Sequence, residues 1–418
     1  MTGTRARKEV LSLASMHRRL VLAGIPSRLA QSTSDHRPYL RYRSRYAVQV
    51  CDLEAIRINQ LGSMLKTQLP AALDRRSSEE YEPSDRHLRR LGRAAVKCLY
   101  TAGLRSGEVI LISSGPRAFE VEAITPVWQL SNASLIKLHK EAEAAKRRSV
   151  QHEAVHGLDS LLLGMDPEFV LVNPNTNEAV DVSQFLERGG VAGCDAVYVD
   201  GIATYPLAEL RPPPSRHPRG LLIALMRAME EAAEAIDDQS LIWRAGGLPI
   251  PHLPLGGHLH FSGVVLTTDL LRALDNYLAL PIAILEDERG VLRRPKYGTL
   301  GDFRRQPHGG FEYRTLPSFL VSPLVTKGVV CLGYLIVRYY RLLTKRPLSQ
   351  EHVLAAYYKG DKGVLRRTLP ELIEDLRSLP QYAEFSASIE PVFQYMNNGS
   401  SWDEQRDIRP RWRIPAAH

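Results

Sequence analysis

Four short segments of this chain share one pattern, in which two polar side chains are separated by a single residue within an otherwise apolar run. The pairs are Asp166 and Glu168, Glu209 and Arg211, His258 and His260, and Glu312 and Arg314. Because alternate residues of a strand point to the same face, each pair would lie on one face of a predicted strand. Four neighbouring strands of this kind would aim acids, imidazoles and arginines at one cavity. A folded interior tolerates such groups only where they are paired or bind a ligand.

Each pair taken alone also fits an ordinary structural role. An isolated Glu-x-Arg is compatible with a surface ion pair, and an isolated His-x-His with a hydrogen-bonded pair on a sheet. The recurrence of the spacing favours a common site instead. Carboxylates are the ligands that Mg²⁺ prefers, and guanidinium groups bind phosphate, so the combination indicates a site for a metal and a phosphate. Arg304 and Arg305, followed by a glycine-containing turn at 308–310, bring further cations to the last pair.

The order and spacing of these motifs resemble the glutamine synthetase fold. More closely, they resemble the amidoligases, the phage-type carboxylate–amine (COOH–NH2) ligases of type 2. The runs that carry the resemblance are Gly164–Phe169, Gly193–Asp195, Asp200–Gly201, Glu209–Pro212, Gly256–His260 and Tyr297–Pro317. Together they cover roughly residues 155–345, and we expect the likeness to continue to the C-terminus.

The resemblance implies an α+β fold in which a curved antiparallel sheet and flanking helices form the catalytic domain. We expect that domain over residues 157–345, with a C-terminal helical part of it over 346–418. A helical linker is predicted over 131–156, after a basic N-terminal α/β domain over 1–130. The apolar segment 324–343 is predicted to be a buried helix, because charged residues leave too short an uncharged run to span a bilayer.

The N-terminal part has a recognisable order of predicted elements. Residues 46–58 are predicted to form one strand, 74–83 an exposed loop and 85–103 an amphipathic helix. Two strands at 107–113 and 118–126 follow, joined by a turn at 114–116. This run is similar to the closing segment of ATP-grasp ligases over about 45 residues. Glu122 and Pro126 stand near positions where an active site would carry an acidic and an Asn metal ligand, so we expect a reduced, inactive relative that positions substrate.

By family position, the resemblance also implies which side chains hold metal ions. Asp166, His258 and Glu312 would hold the metal nearest the outer phosphates of ATP, and Glu168 and Glu209 the metal nearer the substrate carboxylate. Asp166 is one methylene shorter than the glutamate usual at that place in glutamine synthetase. The implied cofactors are therefore ATP and Mg²⁺ or Mn²⁺.

The same resemblance implies roles for the cations. Arg304 and Arg314 would contact the transferring phosphoryl group, and Arg211 or Arg293 would bind the acid substrate. His260, together with Arg293, Arg304 and Arg314, would face the nucleotide. The residues do not single out a general base for the amine, and Asp200 and Asp302 remain alternatives to ordinary loop acids.

Three functions are compatible with these residues. The preferred one is an ATP-dependent carboxylate–amine ligase that forms an amide bond through an acyl phosphate. The second is a phosphotransferase, because guanidino kinases share this fold and the same pairing of metals with arginines. The third is a non-catalytic binding or scaffold protein, which four intact polar pairs disfavour because buried idle charges are costly.

Composition narrows the partners and the compartment. Residues 1–150 carry 26 lysines and arginines against 14 acids, a net charge of +12, whereas the remainder is −4. A solvated basic surface explains this, and without a nucleic-acid-binding motif we expect no nucleic-acid partner. Four widely spaced cysteines indicate reduced thiols in a cytoplasm rather than a disulfide framework. We expect small-molecule or peptide carboxylates and amines as substrates, with an oligomer left open.

Overall fold

The computed structural model describes residues 12–30, 44–61, 83–113, 118–156, 158–199 and 202–414. The chain divides into two compact units, Met1–Arg148 and Ser149–His418. The domain limits expected at residues 130, 156 and 345 stay predictions. The expected loop at 74–83 lies outside the described residues except for Pro83, where α2 begins, and the turn at 114–116 and Asp200 also lie outside them.

The first unit is built around a four-stranded antiparallel sheet with the order β2-β1-β3-β4. Its strands are β1 (Ser44–Cys51), β2 (Glu54–Leu61), β3 (Ser106–Ser113) and β4 (Phe119–Pro126). Its helices are α1 (Leu13–Leu22) and α2 (Pro83–Thr101), and α3 (Ala133–His156) begins in this unit. The helix predicted at 85–103 and the strands predicted at 107–113 and 118–126 are confirmed. The likeness to an ATP-grasp fragment stays a prediction.

The single strand predicted over 46–58 is wrong, because the chain forms a tight hairpin there. Asp52 and Leu53 connect β1 to β2, and both have positive φ, 44° and 68°. Two consecutive left-handed residues make a turn whose twist matches that of the strands. Such turns usually have Asn-Gly or Asp-Gly at these two positions. Here the Leu53 side chain is buried instead, and its packing offsets the backbone strain.

The second unit contains a seven-stranded sheet in which all named strand pairs are antiparallel. The order is β10-β11-β9-β5-β7-β6, and β8 pairs with β5. The strands are β5 (Leu162–Val172), β6 (Ala192–Val199), β7 (Ile202–Leu210), β8 (Ile242–Arg244), β9 (Gly257–Ser262), β10 (Phe303–Arg305) and β11 (Phe311–Tyr313). The expected mixed class, an antiparallel sheet with flanking helices, is confirmed.

Helices of the second unit pack against this sheet and against one another. They are α4 (Pro218–Ala235), α5 (Thr268–Leu274), α6 (Leu280–Leu285), α7 (Pro323–Tyr339), α8 (Glu351–Lys359), α9 (Lys362–Arg367), α10 (Leu369–Arg377), α11 (Tyr382–Asn397) and α12 (Arg409–Trp412). Along α7 every residue from Val329 to Val337 is buried, which confirms the buried helix predicted there. Among the described helices, none combines the length and apolar character that crossing a bilayer requires.

The alternation of side chains along β5 explains how the sheet presents a polar face. Leu163, Met165 and Phe169 are buried on one side, and the Phe169 ring stacks on Trp243 with centroids 4.7 Å apart. Asp166 and Glu168 fall between them and point to the other side. The apolar face therefore anchors the strand, and the opposite face is available for polar chemistry.

Candidate functional site

Strand register brings the acids and imidazoles of the four predicted polar pairs onto adjacent strands, and Arg211 and Arg314 directly follow β7 and β11. Strand β9 lies between β5 and β11, so that Asp166 pairs with His258 and Glu312 with His260. On the other side of β5, Glu168 pairs with Glu209 of β7. At the edge of the sheet, Arg304 of β10 pairs with Glu312. Cross-strand neighbours have Cβ atoms only about 5 Å apart, so these side chains meet in one region.

Three of these residues form a group of potential metal donors. One ligand atom each from Asp166, His260 and Glu312 lie within 4.8 Å of one another. His258 joins them, because its Nδ1 lies 3.0 Å from Asp166 Oδ1 and 3.3 Å from Glu312 Oε1. His260 Nε2 lies 3.0 Å from Asp166 Oδ2. The Asp166 carboxylate is thus flanked by two imidazoles.

Some of these short contacts lack the geometry of hydrogen bonds. Asp166 Oδ1 and His260 Nε2 are buried atoms for which no hydrogen-bond partner is present in the described part of the chain. Their neighbours are near enough, but the donors and acceptors are not aligned for hydrogen bonding. Buried donors and acceptors are normally satisfied. Oxygen and nitrogen lone pairs that converge without sharing protons are suited to holding a cation.

The electrostatics of the cluster follow from burial opposed by ion pairing. Burial alone would raise the pKa of Asp166, but the imidazoles of His258 and His260 outweigh it and hold that pKa well below its usual range. Burial alone would lower the pKa of His258, and the Asp166 carboxylate reverses this, so the His258 pKa is raised. The acid and the imidazole therefore favour each other's charged forms.

Glu168 and Glu209 form a second acidic group beside the first. Glu168 Oε2 accepts a hydrogen bond from the Gly256 amide at 2.6 Å, and burial raises the Glu168 pKa. Burial, followed by the negative charge of Asp166, raises the pKa of Glu209 to about 8. The Arg211 guanidinium donates to Glu209 and opposes this rise. Because the pKa values of both neighbouring acids are raised, a cation bound beside them would stabilise both carboxylates.

Two guanidinium groups converge on Glu312, whose side chain is only 2% exposed. Arg314 donates to Glu312 Oε1 at 2.9 Å, and Arg304 Nη1 lies 3.5 Å from Oε2. The Arg304 side chain is 60% exposed and reaches from solvent. Cations on the open side of a metal-type cluster can neutralise a phosphate brought to it.

Two glycines make room for site side chains. A Cβ added at Gly256 would overlap the His258 ring, and one added at Gly193 would overlap the Arg211 guanidinium. Both residues belong to runs that carried the family resemblance. Only the bare Cα lets the imidazole and the guanidinium lie flat against the backbone.

Two further predicted site residues, Arg293 and Asp302, differ in their distance from the cluster. The Arg293 side chain is 2% exposed, donates to the Thr315 carbonyl at 2.9 Å and lies 3.8 Å from Glu286 Oε1. No contact joins it to the cluster among the described residues, and its assignment to substrate or nucleotide stays a prediction. The Asp302 carbonyl accepts a hydrogen bond from the Arg314 amide at 3.0 Å, which places Asp302 beside the arginine.

Two contributors were missed from sequence. Gln306 donates to Glu312 Oε2 at 3.1 Å, and the spacing pattern overlooked it because its partner lies across a hairpin. Ser318 is fully buried, its hydroxyl donating to the Glu168 carbonyl and its amide to the Gly246 carbonyl. Ser318 directly follows a motif run, but nothing in its sequence context distinguishes it from a loop serine.

Comparisons with known proteins give one family match. A family model described as "Phage phiEco32-like COOH.NH2 ligase-type 2" matches residues 163–414. No curated protein matches the sequence. The matched range contains all the residues of the polar cluster and extends through α12.

The likeness to solved structures is weaker. A bifunctional glutathione synthetase from Pasteurella multocida is 12% identical with a TM-score of 0.37, over 61% of this chain and 52% of that chain. GmaS in complex with ADP is 11% identical with a TM-score of 0.32, over 85% and 92% of the two chains. A glutamine synthase homolog is 12% identical with a TM-score of 0.28, over 68% and 80%. The chain thus spans about half the length of the glutathione synthetase. Because these scores are low, the family match alone carries the assignment.

Proposed function

The chain belongs to the phage phiEco32-like COOH.NH2 ligase-type 2 family, and on that premise we propose that it is an ATP-dependent ligase joining a carboxyl group to an amino group. One observation supports this most directly. A buried group of carboxylates and imidazoles lies on the same sheet region as two guanidinium groups that converge on one of those carboxylates. Phosphoryl transfer needs such a combination, because metal ions and arginines together neutralise the developing charge.

The donor set fits hard divalent cations. Carboxylate oxygens dominate it and imidazole is the minority ligand, as Mg²⁺ and Mn²⁺ prefer. Asp166 Oδ1 and His260 Nε2 are buried and have no hydrogen-bond partner among the residues that the structure describes, which supports the same assignment. We assign Asp166, His258 and Glu312 to one metal and Glu168 and Glu209 to another. His260 is proposed as an additional donor as well as a nucleotide contact, since its Nε2 belongs to the same group of ligand atoms. When bound, the metals would supply positive charge to the phosphate oxygens.

The arginines receive distinct roles. Arg314 is tied to a buried carboxylate and is therefore preorganised, whereas Arg304 is largely exposed and free to move onto a phosphate. Both are proposed to stabilise the transferring phosphoryl group. Arg211 lies on the other side, beside Glu168 and Glu209, and is proposed to bind the acid substrate. Arg293 is proposed to support the nucleotide end of the site.

The reaction we propose has two steps. A carboxylate oxygen of the acid attacks the terminal phosphorus of the substrate ATP, the bond to the bridging oxygen breaks, and ADP leaves. The acyl phosphate so formed is then attacked at its acyl carbon by the amine, and inorganic phosphate departs. The proton lost from the amine goes to a base, for which Asp302 beside Arg314 and Asp200 are the candidates. We propose that one of these two aspartates acts as the base.

Trapping of the acyl phosphate tests this mechanism. With MgATP, hydroxylamine and a mixture of common amino acids and short peptides as acids, we expect hydroxamate and an equal amount of ADP. Arg314→Ala should lower hydroxamate formation by a factor on the order of 10² to 10³ if Arg314 stabilises charge in the transition state. Arg314→Lys should restore only part of it, because an ammonium cannot make a bidentate contact.

The control and the contrary outcomes are equally specific. Arg377→Ala removes an arginine that pairs with Glu390 at the surface and should leave the rate unchanged. Formation of AMP and pyrophosphate would show that the intermediate is an acyl adenylate and not an acyl phosphate. ADP formed together with a phosphorylated guanidine, without hydroxamate, would favour the phosphotransferase. Binding of ATP without turnover of any acid would favour the non-catalytic protein.

A further inference from the structure

The unit Met1–Arg148 contains a cleft that the proposed ligase centre does not use. It lies where the turn after β4 meets the first turns of α3, and its volume is about 330 Å³. Trp128, Leu130 and Ile136 form apolar walls, and His139, Lys140 and Glu143 provide the polar lining. A largely apolar concavity of this size with few polar groups is typical of a small-molecule site.

A chain of hydrogen bonds determines the tautomer of His139, a residue that is 3% exposed. Gln49 Nε2 donates to the Glu108 carboxylate at 2.5 Å, and Gln49 Oε1 lies 3.0 Å from His139 Nε2. Because a carboxylate only accepts hydrogen bonds, Gln49 must present its NH₂ to Glu108 and its oxygen to His139. His139 Nε2 therefore carries the proton, and Nδ1 of the neutral ring is a bare acceptor.

That acceptor is unsatisfied. His139 Nδ1 is buried, and within the described residues no hydrogen-bond partner reaches it. Burial lowers the pKa of His139, so the ring stays neutral and Nδ1 keeps its lone pair. Buried acceptors without a partner are destabilising. A ligand that brings an O–H or N–H group to this atom would remove the penalty.

The rim and walls define the rest of the ligand. Trp128 is 54% exposed and lines the cleft, so its indole ring is available for packing with a flat aromatic partner. Glu143 is paired with Arg147 at 3.4 Å, whereas no ion pair of Lys140 occurs with a described residue. An anionic ligand would therefore pair with the Lys140 ammonium at the rim.

We propose that this cleft binds a small aromatic carboxylic acid that carries a hydroxyl or N–H donor on its ring. The carboxylate pairs with Lys140, the ring packs on Trp128, and the donor reaches His139 Nδ1. A ligand of about ten non-hydrogen atoms in an open cleft binds with a Kd on the order of 1 mM.

Trp128 supplies a direct readout. The other three tryptophans, Trp243, Trp402 and Trp412, are buried, so acrylamide quenches mainly the fluorescence of Trp128. In the full-length chain, 4-hydroxyphenylacetate should protect this fluorescence from quenching. Phenylacetate, which lacks the ring donor, should bind about 5-fold more weakly, the factor expected for one hydrogen bond. Tyramine, with an ammonium in place of the carboxylate, should not protect.

Two lysine variants complete the test. Lys140→Gln should weaken the binding of 4-hydroxyphenylacetate at least about 5-fold, the effect of losing a charge-assisted contact. Lys137→Gln removes an exposed lysine of the same helix that does not line the cleft, and it should bind like the parent. His139→Phe should make the two acids bind equally; if that variant fails to fold, the ligand pair still tests the acceptor. Equal binding of the two acids to the parent, or equal binding by both lysine variants, would overturn the proposal.

Discussion

At the scale of single residues, the site depends on a glycine whose lack of a side chain leaves room for a neighbouring imidazole ring. Gly256 lies against the His258 ring, which stands between Asp166 and Glu312. Gly256→Ala should push the imidazole away from both carboxylates. We therefore expect Mn²⁺ affinity to fall about 10- to 100-fold, the range seen when groups that orient metal ligands are lost. Calorimetric titration of the folded variant with Mn²⁺ measures this.

A matched glycine controls for the added methyl group. A Cβ at Gly189 would have no atom within 4 Å, so Gly189→Ala should bind Mn²⁺ like the parent. If Gly256→Ala also binds like the parent while retaining its fold, the ring is not held by this clearance and His258 would lose its proposed role as a ligand.

Glu312 provides the second residue-scale prediction. Its carboxylate is buried and contacts His258, Arg304 and Arg314. Glu312→Gln keeps the shape but removes one ligand charge, which should weaken Mn²⁺ binding by at least about 10-fold and MgATP binding with it. Calorimetry with each ligand tests this, and Glu371→Gln, a substitution at a partly exposed glutamate, should change neither affinity. Unchanged MgATP affinity in Glu312→Gln would contradict the assignment.

The sequence predicts which site residues lie together only where two of them are separated by one residue on the same strand. Asp166 with Glu168 and His258 with His260 share faces for that reason alone. The position of Arg293 could not be predicted, since its burial against Thr315 and Glu286 depends on how the chain folds back between separate elements. Gln306 was missed because its partner Glu312 lies across the hairpin of β10 and β11, where spacing along one strand gives no signal.

At the scale of elements, register decides what spacing leaves open. The sequence does not say that β9 lies between β5 and β11, and only this order makes Asp166 the partner of His258 and Glu312 the partner of His260. The predicted strand that carries Glu312 and Arg314 ends at Tyr313, one residue before Arg314. The Arg314 amide instead bonds the Asp302 carbonyl outside the ladder, a tertiary contact that local alternation cannot reveal.

Helix packing behind the sheet yields a prediction at this scale. Gly328 of α7 faces Val392 of α11 so closely that a Cβ would overlap the valine side chain. Gly328→Ala should therefore separate the helices and lower the free energy of unfolding by about 1–3 kcal/mol, despite the better helix propensity of alanine. Urea denaturation followed by circular dichroism measures the change.

An exposed helical glycine gives the opposite expectation. At Gly363 in α9 the added Cβ would approach only the Asp361 carboxylate, at 3.3 Å. Gly363→Ala should stabilise the protein by up to about 1 kcal/mol, through propensity alone. Stabilisation of similar size by Gly328→Ala would show that α7 and α11 are not in tight contact there.

At the scale of the whole molecule, the C-terminal segment ties distant parts of the second unit together. Trp412 Nε1 donates to the Leu320 carbonyl at 2.7 Å, and Arg409 donates to the Leu241 carbonyl at 2.6 Å. The Glu404 carboxylate accepts from the Gly247 and Leu248 amides and from Trp402 Nε1. These amides begin the loop that leads into β9 and its histidines. The family match, which extends to residue 414, includes this segment.

Glu404 therefore couples the end of the chain to the candidate site. Glu404→Ala would leave two buried donors, the Gly247 amide and Trp402 Nε1, and the partly buried Leu248 amide without their acceptor. Each buried donor costs about 1–3 kcal/mol, so a loss of several kcal/mol is expected. Glu404→Gln keeps one acceptor oxygen and should lose less. Because the freed loop precedes His258, the folded Gln variant should also bind Mn²⁺ more weakly than the parent. Glu371→Ala, at the surface, should have a free energy of unfolding within about 0.5 kcal/mol of that of the parent. If Glu404→Ala unfolds at the same urea concentration as Glu371→Ala, the C-terminal segment does not hold the loop.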